Sequence, residues 1–91
     1  MEHLDDPIDA VEEMLEEAGR ACLRLIAGPR PLKREQYQAL SKWMFGCMNQ
    51  RYTIRGRVEK RGIRELRNVL RFVAQACEVI LEIESDESGS E

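Results

Sequence analysis

The stretch from Gly62 to Glu84 carries the period of a helix and is apolar around more than half of its circumference, more than one small bundle can cover. At 100° per residue, Ile63, Leu66, Val69, Leu70, Val73, Ala76, Cys77, Ile80 and Ile83 fill an arc of about 160°, which Phe72 and Val79 widen to about 200°. A helix on the surface of a globular domain needs roughly half of that. The remaining polar stripe holds Arg64, Arg67, Arg71, Gln75, Glu78 and Glu82, cationic in its first half and anionic in its second. Such a surplus predicts an assembling helical module. The outer arc expected to meet a partner is Val69, Phe72, Ala76, Val79 and Ile83, with Phe45 as an extension from the preceding helix.

Size points the same way. A chain of 91 residues makes one domain, whose own core is of marginal stability unless something else contributes. Hydrophobic residues at 43% and charged residues at 34% describe a globular chain, and no apolar run approaches the roughly 18 residues of a membrane span. The beginning, Met1-Glu2-His3-Leu4, lacks the basic and apolar regions of a secretory signal, so a cytoplasmic protein is expected, or a nuclear one if the source is eukaryotic or viral. Cys22, Cys47 and Cys77 fall one to each helical stretch among its apolar positions, and are expected to be reduced core residues. They lack the paired spacing of a thiolate metal site.

Two more helices precede the third. The first, about 7–27, is announced by Asp6-Pro7, with Asp6 as cap and Pro7 at the first helical position, and is stopped by Gly28-Pro29. Its Ile8, Val11, Leu15, Ala18, Cys22 and Leu25 keep a strict three-four seam. The second, about 32–50, repeats that spacing at Tyr37, Leu40, Met44 and Cys47. Gly46 costs that helix about 1 kcal/mol relative to Ala, which implies close packing or an early end. The segment from Arg51 to Gly62 reads as a basic loop, the third helix as about 60–84, and 85–91 as a disordered acidic tail, since Ser, Gly, Asp and Glu alone cannot bury apolar surface.

Charge order favours a topology. Helix one opens acidic (Asp9, Glu12, Glu13, Glu16, Glu17) and closes with Arg20 and Arg24, in agreement with its own dipole, while helix three is written in reverse. An all-α, up-down-up three-helix bundle lays helices one and three parallel, acidic start beside basic start. Antiparallel pairing of helix three with its copy in a second chain satisfies the same charges. Both hold together in a homodimer joined through helix three.

A second reading concerns phosphates. From Arg51 to Arg71 there are eight cations, Arg51, Arg55, Arg57, Lys60, Arg61, Arg64, Arg67 and Arg71, against two Glu, with Tyr52 and Phe72 at the borders and Arg55-Gly56-Arg57 at the centre. Arginine forks suit phosphate oxygens and an aromatic ring can stack on a base. A net charge of −3 weighs against a dedicated nucleic-acid domain. The basic middle, the Arg-Gly-Arg ahead of helix three and Glu84-Ser85-Asp86-Glu87 after it resemble the dimeric double-stranded-RNA-binding domain of the influenza non-structural protein. That resemblance implies duplex RNA as a ligand, and the acidic helix one departs from it.

Chemistry is poorly supplied. The one histidine, His3, lies near the start of the chain, and Ser41 is the one serine before the tail, with no base predicted beside it. No Glu-x-x-His pair marks a metal site in the bundle. The sequence therefore predicts a non-catalytic interaction or regulatory module without cofactor, metal or small-molecule substrate. Its partner is a second copy or another helical protein, with nucleic acid as the alternative and no membrane.

Overall fold

The computed structural model describes residues 6–89, and within them three helices, α1 (Pro7–Ala27), α2 (Arg34–Arg61) and α3 (Glu65–Gly89). His3 lies outside the described residues. The chain is an all-α three-helix bundle. Asp6 caps α1 by accepting the Ile8 N–H at 2.9 Å on its side chain, and Pro7 takes the first turn, where its missing donor costs nothing. Gly28 stops α1, as expected, with extended backbone (φ −72°). The left-handed glycine is Gly62 (φ 99°), whose N–H closes α2 on the Val58 carbonyl at 2.8 Å.

The largest departure from the sequence reading is the length of α2. The segment expected to be a basic loop from Arg51 onward is helix as far as Arg61. Its three-four seam continues past Cys47 through Arg51 to Ile54 and Val58, and the arginine in the seam hides the continuity. Ile54 is fully buried and Val58 packs against the same cluster. Burying such side chains stabilises by about 1.5 to 3 kcal/mol each, which outweighs the roughly 1 kcal/mol that Gly56 costs the helix. Helix α3 accordingly starts only at Glu65, and it runs on to Gly89 through residues expected to be disordered; Ser90 and Glu91 lie outside the described residues. Propagating a formed helix adds one hydrogen bond per residue fixed and needs no new nucleus.

The core has two clusters. Val11, Leu15 and Ala18 of α1 meet Cys47 and Ile54 of α2 and Leu66, Val69, Val73 and Ala76 of α3. Farther along, Cys22 meets Leu40, Ile80 and Ile83. The start of α1 thus shares a cluster with the end of α2 and the start of α3, so the helices run up, down and up with α1 and α3 parallel. Gly46 is explained by close packing. A Cβ there would lie 2.5 Å from Phe72 Cζ, and the Phe72 ring is held by Trp43 with centroids 4.8 Å apart.

Candidate interaction surfaces

Antiparallel α1 and α2 bring the acidic start of one beside the basic end of the other. Arg55 donates to Asp9 at 2.7 Å and to Glu12 at 3.3 Å, with Asp6 at 3.8 Å, and Arg51 lies 3.4 Å from Glu16. These carboxylates hold the Arg55 guanidinium above its ordinary pKa, through its hydrogen bonds to Glu12 and then Asp9. Glu16 also takes Arg20 at 2.7 Å. Asp9, Glu12 and Glu16 are therefore answered by α2 and not, as the charge order suggested, by the start of α3, while Glu13 and Glu17 have no cation partner among the described residues. Nor do Arg20 and Arg24 meet Glu78 and Glu82.

Of the eight cations singled out for phosphate, four are engaged within the fold. Besides Arg51 and Arg55, Arg57 donates to Glu65 at 3.2 Å and to Gln50 at 2.6 Å, and Arg61 stands 3.9 Å from the same Glu65. Glu65, one of the two acids in the basic segment, clamps the end of α2 to the start of α3. Lys60, Arg64, Arg67 and Arg71 are exposed and have no carboxylate partner among the described residues. Glu78 and Glu82, farther along α3, are equally exposed and equally unpaired among the described residues.

The apolar arc of α3 is as wide as its sequence implies, but the bundle takes the other flank. Val69, Ala76 and Ile83, expected on the outer arc, are buried in the core, and Phe72 and Val79 are half-buried against it. The bundle thus encloses Val69, Ala76 and Ile83, while Phe72 and Val79 keep part of their surface outside. Phe45 is 64% exposed, apart from them on α2. Helical periodicity measures how wide an apolar face is, not which edge of it a neighbouring helix will use. The choice here is made by α2, where Gly46 and Trp43 form the slot that receives Phe72.

The surplus left outside is a second stripe. Leu70 is 42% and Leu81 62% exposed, and Ala74 and Cys77 between them face outward as well. Beside them α1 contributes Met14, 43% exposed, and the small side chains of Ala10, Ala18 and Ala21. Met14 and the three alanines, with Cys77 and Leu81 of α3, line an open channel of about 780 Å³ between α1 and α3, floored by Val73 and Ile80 and bordered on α1 by Glu13 and Glu17, and Leu70 and Ala74 continue the apolar stripe beside it. A smaller groove of about 220 Å³ lies between α1 and α2, where Leu23, Met44, Met48 and Tyr52 surround Gly19.

The three thiols come from three different helices and sit in different surroundings. Burial pushes the Cys47 thiol up to about 11, with Cys22 and Cys77 nearby adding to the shift, and raises Cys22 in the same direction. Both are neutral and enclosed at neutral pH. Cys77, expected in the core, is exposed in the channel. Among the described residues no group of three or more His, Cys, Asp or Glu side chains stands close enough to hold a metal ion, and no helix is long and apolar enough to cross a membrane. Comparison of the chain with protein-family models, with curated proteins and with solved structures finds no match.

Proposed function

We propose that this protein is a non-catalytic helical interaction module that works by self-association, and that its contact face is the channel between α1 and α3. The observation that carries the reading is the exposed stripe of Leu70, Ala74, Cys77 and Leu81 beside Met14. A contiguous apolar face of this kind on a small domain marks a contact site. The core of a 91-residue chain gains most from burying it, because small domains bury a smaller share of their surface than large ones. Light scattering should return about twice the chain mass of 10.6 kDa. Leu81→Glu should return the mass of one chain with an unchanged helical signal, since a side chain this exposed contributes little to the bundle itself, within about 0.5 kcal/mol. A wild-type chain that stays monomeric at the highest concentration reached would overturn the proposal.

One observation favours a second reading, phosphate binding. Lys60 at the end of α2, Arg64 between the helices, and Arg67 and Arg71 early in α3 are exposed cations that no carboxylate among the described residues neutralises. A nucleic-acid ligand would be met there and not by Arg51, Arg55, Arg57 and Arg61, which carboxylates already hold. Binding of a short RNA duplex that falls steeply with salt and with Arg64→Ala plus Arg67→Ala would favour it.

A further inference from the structure

We propose that two copies of this chain join with their α3 helices antiparallel in the α1/α3 channel, Arg67 and Arg71 of one copy facing Glu82 and Glu78 of the other. This rests on the self-association reading and specifies its geometry. Four exposed charges follow the edge of the apolar stripe that lies away from α1, in the order Arg67, Arg71, Glu78, Glu82. That order is unfavourable in a lone chain. Arg67 sits in the first turn of α3, at the positive end of the helix dipole, and Arg67/Arg71 and Glu78/Glu82 are like-charged neighbours one turn apart. None of the four finds an opposite charge among the described residues.

Reversal of the helix turns the same order into its own complement. Arg67 and Glu82 are equally far from the point midway between Ala74 and Gln75, and so are Arg71 and Glu78. A second α3 running the opposite way therefore sets each cation against an anion. A parallel copy would set Arg on Arg and Glu on Glu.

The apolar stripe is also symmetric on reversal, about a point one residue farther along. Leu70, Ala74, Cys77 and Leu81 follow four-three-four spacing, the seam of a paired helix. Reversal about a point between Gln75 and Ala76 lays Leu70 on Leu81 and Ala74 on Cys77, so that the smaller side chains share the middle and the large ones close the ends. The two midpoints differ by one residue, so a dimer in register on the apolar stripe offsets each charge pair by two residues, about 3 Å along the axis, which a long arginine side chain spans. Ala10, Ala18 and Ala21 of α1 leave the channel wide enough for a helix to settle, and Met14 adapts to what settles there.

The test uses two double variants of the full chain, Arg67→Glu with Arg71→Glu and Glu78→Arg with Glu82→Arg, each apart and then mixed in equal amounts. All four positions are exposed, and far-UV circular dichroism confirms folding; should either double variant unfold, Arg71→Glu and Glu78→Arg replace them. Apart, each variant presents one sign of charge along α3 and should self-associate at least about tenfold more weakly than wild type, because like charges now oppose each other across the seam. Mixed, the two should recover association as a heterodimer at least as tight as the wild-type pair. A wild-type dimer whose variants associate as well apart as mixed would overturn the antiparallel register and leave self-association standing. A monomeric wild type would remove both.

Discussion

The two flanks of α1 are closed in different ways. Toward α2, its acidic residues meet arginines of opposite charge and its seam residues meet Cys47 and Ile54, so polar edge and apolar floor are both satisfied within one chain. Toward α3, Ala18 meets buried Val73 in the floor, and above it lie Met14, Cys77 and Leu81 with no ion pair linking the two helices among the described residues. The difference is one of matching charge. Arginines on α2 reach across to the acids of α1, whereas toward α3 the edge of α1 sets Glu13 and Glu17 among Ala10, Met14, Ala18 and Ala21, and α3 offers them no cation among the described residues. A finished seam supplies stability, and an unfinished one supplies a place to bind.

The harshest way to break this contrast is to open the finished seam. Ile54 is fully buried where α1, α2 and α3 meet, beside Leu15 and Val69. Ile54→Ala removes three carbons from a site that cannot collapse around the gap, and urea unfolding should register a loss of about 2 to 5 kcal/mol. Such a loss is a large part of the roughly 5 to 15 kcal/mol that holds a domain together. The same change should shorten the helical end of α2, because burial of Ile54 is what carries the helix past Gly56. A loss below about 1 kcal/mol would mean that the second half of α2 is not fastened to the core.

Thiol chemistry sharpens the contrast residue by residue. Cys47 closes the finished seam and Cys77 lines the unfinished one. In the Leu81→Glu chain, held as a monomer near pH 8, a soluble disulfide reagent should modify one thiol quickly, Cys77, and reach Cys22 and Cys47 only through unfolding; in the wild-type dimer Cys77 should be slowed as well. Alkali gives the matching equilibrium result. With the Cys47 thiol at about 11 against an ordinary 9.0, the folded chain keeps a proton that the unfolded chain releases. Between those two values the unfolded state binds fewer protons, so stability should be level below pH 9 and decline as pH rises from there towards 11. Rapid modification of Cys47 in the native protein would show the finished seam to be open.

Much of this fold can be read from residues, and the failures share a cause. The α1 cap and the three-four seam of α1 follow from local chemistry that no other part of the chain overrides. What misled was context. Arg51 looks like the end of an apolar seam until Glu16 is known to face it, and Arg55-Gly56-Arg57 looks like a loop until Asp9, Glu12 and Glu65 are placed around it. The arc of α3 was legible in width and not in orientation. Which flank stays outside depends on how Phe72 fits against Trp43 and Gly46, a match of shapes from separate helices that no single period records.

The gentlest intervention sits at the polar edge of the finished seam. Arg55 is exposed and holds Asp9 and Glu12, with Asp6 at the limit of reach, and all of these groups remain in contact with water. Coulomb attraction there is screened and offset by the entropy of ordering a long side chain, so Arg55→Ala should cost far less than Ile54→Ala. The loss should also be largest in dilute buffer and vanish near 1 M salt, where the screening length falls to about 3 Å. A double change with Asp9→Asn should cost no more than Arg55→Ala alone if Asp9 acts mainly through this arginine. A loss that persists unchanged in high salt would assign the role of Arg55 to the packing of its aliphatic stem on α1, and the seam would then be apolar to its edge.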